Sequence, residues 1–441
     1  MRVHLSNAAY GVLDYAAYPV AMLVSAPTLL KHLGVAQYGI WIVTTAAVNT
    51  GAIIASGFGD ANIQYIASAR SEGDANLLRR AVRTMLGINL LLGAALALIS
   101  WQLVPFAVGR LVSAETGLRA ECLLGLRIAC VLMLVRAIES VCISTQRAFE
   151  RYGPAIRISL FARITSVAVA VLLSIKGLGV GGIMVATGLL MVAGTATQLI
   201  QLRQYLGHLS LWPAFDRHAT STLFGFGAFS WLLAVSSVVF TQADRLLLGV
   251  SLGASTVTAY ALVVQMAQPI YGIASSGLHF LFPYLAGRNA VSHPAALVSP
   301  ICLAFTVNAV IVAVPTGILL LFGPVLLHAW VGQEVAQSAT GILAPVALSF
   351  ALLGLSVTAY YSLLALGRVR LVTALNLVGG LTMLLLMAWL LPLWGVHGIA
   401  MARLSYGAIA LFMYGPLARV LGGTRAKLLS ASGSCPVCED V

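Results

Sequence analysis

Charge is scarce in this chain, and negative charge is scarcer still. Only 9% of its 441 residues are charged, with 13 Asp and Glu against 25 Lys and Arg. No polar stretch is long enough to fold as a soluble domain. The outer loops expected below are short, and the longest, around Arg110–Glu121, holds only Glu115 and Glu121 as acids. That leaves little for acid–base catalysis outside the membrane. His279, His328 and His397 are scattered and fit helix ends or packing better than a ligand set or a base. The six cysteines form no disulfide framework. Cys122, Cys130 and Cys142 fall along one predicted helix and Cys302 stands alone. Cys435-Pro-Val-Cys438 lies in a polar tail, where a single C-x-x-C supplies half of a zinc site. No metal centre is expected. The formal charge of +12 is spread over short loops rather than massed on one face, so no nucleic-acid partner is expected.

What the chain has in abundance is apolar surface. Sixty per cent of residues are hydrophobic and the mean hydropathy is +0.96. Runs long enough to span a bilayer recur throughout. The expected fold class is an all-α polytopic membrane protein with twelve spans. They lie near 8–32, 38–66, 84–109, 122–145, 158–176, 179–202, 224–251, 255–286, 300–328, 341–366, 370–392 and 395–418. Residues 1–203 then form a first six-helix bundle and 204–219 a cytoplasmic linker; 220–422 form a second bundle and 423–441 a disordered cytoplasmic tail. Asp14 and Pro19 interrupt the first span and no polar mature domain follows it, which reads as an uncleaved helix rather than a signal peptide. With the N-terminus inside, sixteen Lys and Arg fall on cytoplasmic segments. Only Lys31, Arg110, Arg119 and Lys176 fall outside. This is the positive-inside bias, and it places both termini in the cytoplasm.

The two halves repeat. Gly-Val-Gly-Gly-Ile-Met-Val-Ala at 179–186 and Gly-Val-His-Gly-Ile-Ala-Met-Ala at 395–402 both read G-V-x-G-I-x-x-A, each opening the last span of its half. Leu33-Gly34 matches Leu252-Gly253, Ala55-Ser56 matches Ala274-Ser275, and Tyr65-Ile66-Ala67 matches Tyr284-Leu285-Ala286, all at one offset. Repeated halves in a membrane protein point to a transporter with its site between them. Prolines inside spans, Pro19, Pro105, Pro269, Pro315 and Pro345, remove backbone donors and predict kinks.

Ionisable residues within spans are costly and mark candidate sites. Arg127 and Arg163 lie near helix ends, from which they can snorkel, and Asp60 sits at the inner end of span 2. Asp14 is two turns into span 1. Arg136 and Glu139 lie mid-span, three residues apart and on one face, a pair that favours a solvated cavity. Asp244 and Arg245 point about 100° apart on span 7, and Arg403 is deep in span 12. The substrate-binding candidates are therefore Arg136, Arg245 and Arg403. Asp14, Glu139 and Asp244 are candidates for charge pairing or coupling. Forked guanidinium donors suit phosphate oxygens, so an anionic headgroup is the expected ligand.

Leu33-Gly34-Val35-Ala36-Gln37-Tyr38-Gly39-Ile40-Trp41, followed by Gly57-Phe58-Gly59-Asp60, resembles the first two helices of Wzx-type polysaccharide flippases. Asp244-Arg245-Leu246-Leu247-Leu248-Gly249, with Leu252-Gly253 and Tyr260, resembles their seventh and eighth. These belong to the multidrug/oligosaccharidyl-lipid/polysaccharide exporter superfamily, and the likeness runs from about residue 5 to 420. The resemblance implies two six-helix bundles around a central cavity lined by arginines. It also implies translocation of a polyprenyl-pyrophosphate-linked oligosaccharide (an O-antigen, capsule or exopolysaccharide unit) across the bacterial inner membrane. Polysaccharide polymerase or export machinery would be the partner, and a proton or sodium ion would be the coupling ion if one is used. No cofactor is expected, and the chain is not expected to be an enzyme. Two alternatives stay open: a cation-coupled multidrug exporter of the same fold, and a membrane glycosyltransferase or polymerase.

Topology is directly testable. Reporter fusions after Gly117 and Glu334 should score periplasmic, and fusions after Gly73 and Arg217 cytoplasmic. A cytoplasmic score at Gly117 breaks the scheme from its third helix onward.

Overall fold

Glycines break the helices of this protein where its repeat begins. A computed structural model describes residues 2–59, 62, 63, 65, 66, 75–112, 116–149, 152–206, 211–217, 220, 221, 231, 232, 234, 236, 239–278, 281, 282, 284, 285 and 297–421. The side chains of 2–18 lie outside that description. The first helices are α1 (Arg2–Ser56), α2 (Ala75–Leu111), α3 (Thr116–Ala148), α4 (Tyr152–Ile175) and α5 (Val180–Tyr205). A π-turn (Val239–Ala243) then leads into α6 (Asp244–Leu252). The remaining helices are α7 (Ala254–Gly277), α8 (Val298–Val331), α9 (Gln333–Ala365) and α10 (Val369–Leu411). Eight of the described helical stretches are long and apolar enough to cross a bilayer. α1 turns at Gly34 and α10 at Gly395, so each carries two of the predicted spans. Every one of the twelve predicted spans thus holds helix among the described residues, and the fold is all-α and polytopic.

The backbone confirms the repeat. Gly34 has φ 77° and ψ 169°, and its counterpart Gly253 has φ 84° and ψ 171°. Both lie where a side chain would be strained, which explains why Leu-Gly recurs at this point. The next turns pack on each other. A Cβ on Gly39 would fall 1.8 Å from the Ala254 carbonyl oxygen. Thr258, the repeat partner of Gly39, donates its hydroxyl to the carbonyl of Val35, the repeat partner of Ala254, at 2.6 Å. The contact is reciprocal, as a pseudo-two-fold relation requires.

By contact the chain divides into two units. The first comprises Met1–Met266, Pro324–Ile342 and Met387–Ile399, and the second Ala267–Gly323, Leu343–Leu386 and Ala400–Val441. Within the first, Trp330 donates its indole N–H to the Leu23 carbonyl at 3.1 Å, and Gln265 bonds the Tyr38 hydroxyl at 3.2 Å. The described part of the segment after α5 lies along the start of α2. Arg83 donates to the Trp212 carbonyl, and the amide of Asp216 donates to Thr84. Within the second unit, polar side chains join helices that have no water to turn to. Asn308 on α8 donates to the Gly354 and Leu355 carbonyls of α9, Tyr414 also donates to Leu355, and Tyr406 donates to Asn376. Many hydroxyls elsewhere satisfy themselves on the preceding turn, as Thr316 does on Val312.

The α1–α7 crossing predicts a graded response. Gly39→Val must push two backbones apart and should cost at least the ~1–3 kcal/mol typical of overpacking. Gly117→Ala meets nothing within 4 Å and should stay within about 0.5 kcal/mol of the parent. Thermal melting of the detergent-purified protein checks both, and equal midpoints for the two variants contradict the packing described.

Candidate functional site

Two polar stripes run along helices that are largely apolar at mid-span. On α3, Arg136, Glu139, Ser140, Ser144 and Arg147 recur at helical spacing and share one face. On α4, Ser159, Arg163 and Ser166 follow at i, i+4 and i+7. Both stripes face a pair of adjoining cavities within the first unit. One, of about 210 Å³, is lined by Trp41, Thr45 and Asn49 of α1, by Arg136 and Glu139, by Ser159, Arg163 and Ser166, and by Met184 and Thr187 of α5. The other, of about 360 Å³, reaches toward the predicted cytoplasmic side between Ile53, Ile63, Ser144 and Arg147. Arg136, Glu139 and Arg163 line both. They form the neck between the two chambers.

Arg136 donates through Nη1 to Glu139 Oε2, an ion pair whose side chains are 16% and 9% exposed. The Nε of Arg136 is buried without a hydrogen-bond partner. Around the first chamber, Thr45, Ser166 and Thr187 donate back to Trp41, Ala162 and Ile183. The hydroxyl of Ser159, a residue only 3% exposed, finds no such partner. Among the described residues, the walls of the two chambers carry Arg136, Arg147 and Arg163 with Glu139, and the Arg136 Nε and the Ser159 hydroxyl stand open. Guanidinium forks suit phosphate or carboxylate oxygens.

The other sequence candidates lie elsewhere. Asp244 is fully buried, accepts the Tyr260 hydroxyl at 2.7 Å and accepts the amide of Arg245 at 2.8 Å, so it ties α6 to α7. Arg245 is half-buried with its Nε unpartnered, and it lines neither chamber. Arg403 belongs to the second unit, 1% exposed, with its guanidinium 4.4 Å above the Phe350 ring. Arg127 is exposed and stacks over Trp101. The side chain of Asp14, and Asp60 as a whole, lie outside the described residues. Of the three arginines proposed from sequence, only Arg136 lines these chambers.

Arg163 and Arg147 join it instead. Position along the sequence alone marks Arg163 as a snorkelling residue and puts Arg147 in a cytoplasmic segment. In the structure α3 continues to Ala148, and Arg163 faces Arg136 across the neck. The signal was present in the spacing of Ser159, Arg163 and Ser166, which marks a polar face rather than a helix end.

On a background lacking native cysteines, Arg136→Cys and Ser159→Cys should react with a small membrane-impermeant thiol reagent. Ala170→Cys, at a fully buried position outside both chambers, should not. Equal protection of all three positions in right-side-out and inverted vesicles contradicts a water-reachable cavity.

No protein-family model matches the chain, and no curated protein matches it. Solved structures do. An inward-facing multidrug resistance MATE family transporter of the MOP superfamily superposes with a TM-score of 0.70 at 14% identity, covering 96% of each chain. The lipid II flippase MurJ, in an inward closed conformation, gives 0.71 at 13%, covering 97% of this chain and 94% of the other. A MOP superfamily transporter from Pyrococcus furiosus, described as having a binding pocket of reverse polarity that suggests a different function, gives 0.55 at 15%, covering 93% and 98%. At such identities the likeness is one of fold. The chain has the fold of the MOP-superfamily transporters.

Proposed function

We propose that this protein is a transporter rather than an enzyme, and that it moves a polyprenyl-pyrophosphate-linked oligosaccharide across the bacterial inner membrane by alternating access. The observation that carries the reading is the arginine lining of two adjoining chambers: Arg136 and Arg163 at the neck with Glu139, and Arg147 in the second chamber. The physical task is to take a polar, anionic headgroup through hydrocarbon while its polyprenyl tail stays in lipid. Arginines replace the water that the phosphates give up, and the serine hydroxyls of α3 and α4 suit sugar and phosphate oxygens alike. The fold shared with a lipid II flippase supports a lipid-linked substrate. O-antigen, capsule and exopolysaccharide units all satisfy this chemistry. Both termini are assigned to the cytoplasm on the basic-residue bias, and a proton or sodium ion is the coupling ion if one is used.

A second reading, a cation-coupled multidrug exporter, draws support from the multidrug transporter of the same fold and from Glu139 in the cavity wall. The charge count favours the first, since a lipophilic cation would meet three arginines.

Complementation of surface-polysaccharide display in a flippase-deficient strain separates the two. Arg136→Ala and Arg163→Ala should each lower display by about tenfold or more at normal expression, the scale of a lost charge-assisted contact. Lysine at position 136 should retain more function than alanine, since it keeps the charge and loses the fork. Arg403→Ala should impair export as well. Normal display with Arg136 and Arg163 both replaced removes the mechanism. Efflux of cationic drugs without any movement of polyprenyl-linked sugar establishes the exporter reading.

A further inference from the structure

Residues 211–217, between the two halves of the sequence, are pinned along the start of α2. The Trp212 carbonyl accepts from Arg83 Nε at 2.8 Å, the Ala214 amide donates to the Arg83 carbonyl at 3.2 Å, and the Asp216 amide donates to Thr84. The Phe215 ring lies level with Gly87, where an added Cβ would fall 3.2 Å from it. This is the turn at which α2 changes character. Arg79, Arg80 and Arg83 precede it, and the next charge on the helix is Arg110. Leu211 packs inward on the cluster that joins Val82 and Met85 of α2 to Leu202 of α5. Trp212 and Phe215 are left outward, 77% and 62% exposed.

Exposed rings at the depth where a helix turns apolar suit the headgroup layer, which takes an aromatic body together with a polar edge. The surrounding charge agrees. Arg79 and Arg80 on α2, Arg203 on the last turn of α5 and Arg217 are all exposed. The cluster that holds α2 to α5 gathers them at one end of the first unit. Among the described residues of 75–87 and 203–217, Asp216 is the one carboxylate beside them. We propose that residues 211–217 and these arginines form a docking surface for anionic phospholipid headgroups of the adjacent leaflet, the cytoplasmic one by the basic-residue bias. Trp212 and Phe215 seat in the leaflet, and the guanidinium groups around them take phosphate oxygens. A water-soluble acidic partner would match the charge but not the rings, which lie level with the first apolar turns of the span. The surface shares no residue with the two chambers and does not depend on what they carry.

The test places the full chain in phosphatidylcholine nanodiscs and adds phosphatidylglycerol brominated near the headgroup, a quencher of tryptophan fluorescence. Subtracting the signal of Trp212→Phe isolates Trp212 from the remaining tryptophans. Brominated phosphatidylglycerol should quench Trp212 about tenfold or more as efficiently, mole for mole, as brominated phosphatidylcholine. Arg79→Gln/Arg80→Gln should lower that preference by about fivefold, the scale of one cation near an anionic leaflet. Arg79→Lys/Arg80→Lys should keep most of it, because attraction to the leaflet needs the charge more than the fork. Inorganic phosphate should weaken it no more than sodium chloride at equal ionic strength. If neither lipid quenches Trp212, the segment lies outside the leaflet and the proposal is overturned. Equal quenching by the two lipids overturns it as well, since the surface then has no preference for anions. A preference that survives Arg79→Gln/Arg80→Gln in full, or that falls as far with lysine as with glutamine, takes the charge of these arginines out of the site. Competition by phosphate beyond the ionic-strength effect makes it a site for free anions, and the leaflet assignment falls.

Discussion

The first unit is organised around the crossing of α1 and α7. Lipid tails are as apolar as leucine, so helices in a bilayer gain little by hiding from water and must find one another through close packing and hydrogen bonds. Here both are concentrated at one place. Gly39 lets the α1 backbone reach the Ala254 carbonyl, and Thr258 returns a hydrogen bond to Val35. The left-handed glycines one turn earlier, Gly34 and Gly253, aim the two helices into that crossing. Close contacts gather around it: Gly249 against Leu111 and Val43, and Leu252 near Gly395. Two further segments join the first unit, Pro324–Ile342 through the Trp330 bond to Leu23, before the Gly34 turn, and Met387–Ile399 through Gly395 beside Leu252.

Against that packed background, each buried charge has been accommodated differently. Asp244 is neutralised by donors from its own turn and from Tyr260. Arg403 lies against the face of Phe350, where the ring quadrupole offsets part of the desolvation cost. Arg136 takes a carboxylate three residues along, and that pair opens onto two chambers whose walls other polar side chains share. Burial by itself therefore does not distinguish a functional charge from a structural one. Adjacency to unfilled, polar-lined space does. By that criterion α3 and α4 carry the site, and α6 carries a tether.

The spans were legible because hydropathy senses the hydrocarbon, and their ends were not because helices continue past it. α3 was expected at 122–145 and runs over Thr116–Ala148, so Arg147 on its last turn was read as loop. α4 was expected from 158 and begins at Tyr152. The repeat was legible at its glycines, where backbone conformation restricts the residue type, and the structure returns matching dihedrals at Gly34 and Gly253. The Arg136–Glu139 pair was legible from spacing alone. Arg163 is not, because its distance from a helix end suggests snorkelling, and only Ser159 and Ser166, four residues before and three after it, mark the polar face. Side-chain periodicity names a face, whereas depth along the sequence names only a position.

The second copy of the repeated motif shows what the two halves share. In G-V-x-G-I-x-x-A the variable residue is Gly181 in the first half and His397 in the second. Gly181 lies against the bulky carboxylate of Glu121 on α3, which accepts its amide. His397 instead presses its ring on Gly341 of α9, where an added Cβ would meet Nε2 at 2.7 Å. The large and small partners have changed places across the same junction, between the fourth and last spans of each half. The junction is filled in both halves, with the bulk supplied from opposite sides. The cationic stripe is treated otherwise. α9, the counterpart of α3, carries no charged residue after Glu334, and Leu, Ser, Thr and Tyr stand over the stretch where α3 has Arg136, Glu139 and Arg147. A feature kept in both halves belongs to the scaffold. One found in a single half, at a cost in burial and with no packing counterpart, answers to what the cavity must hold.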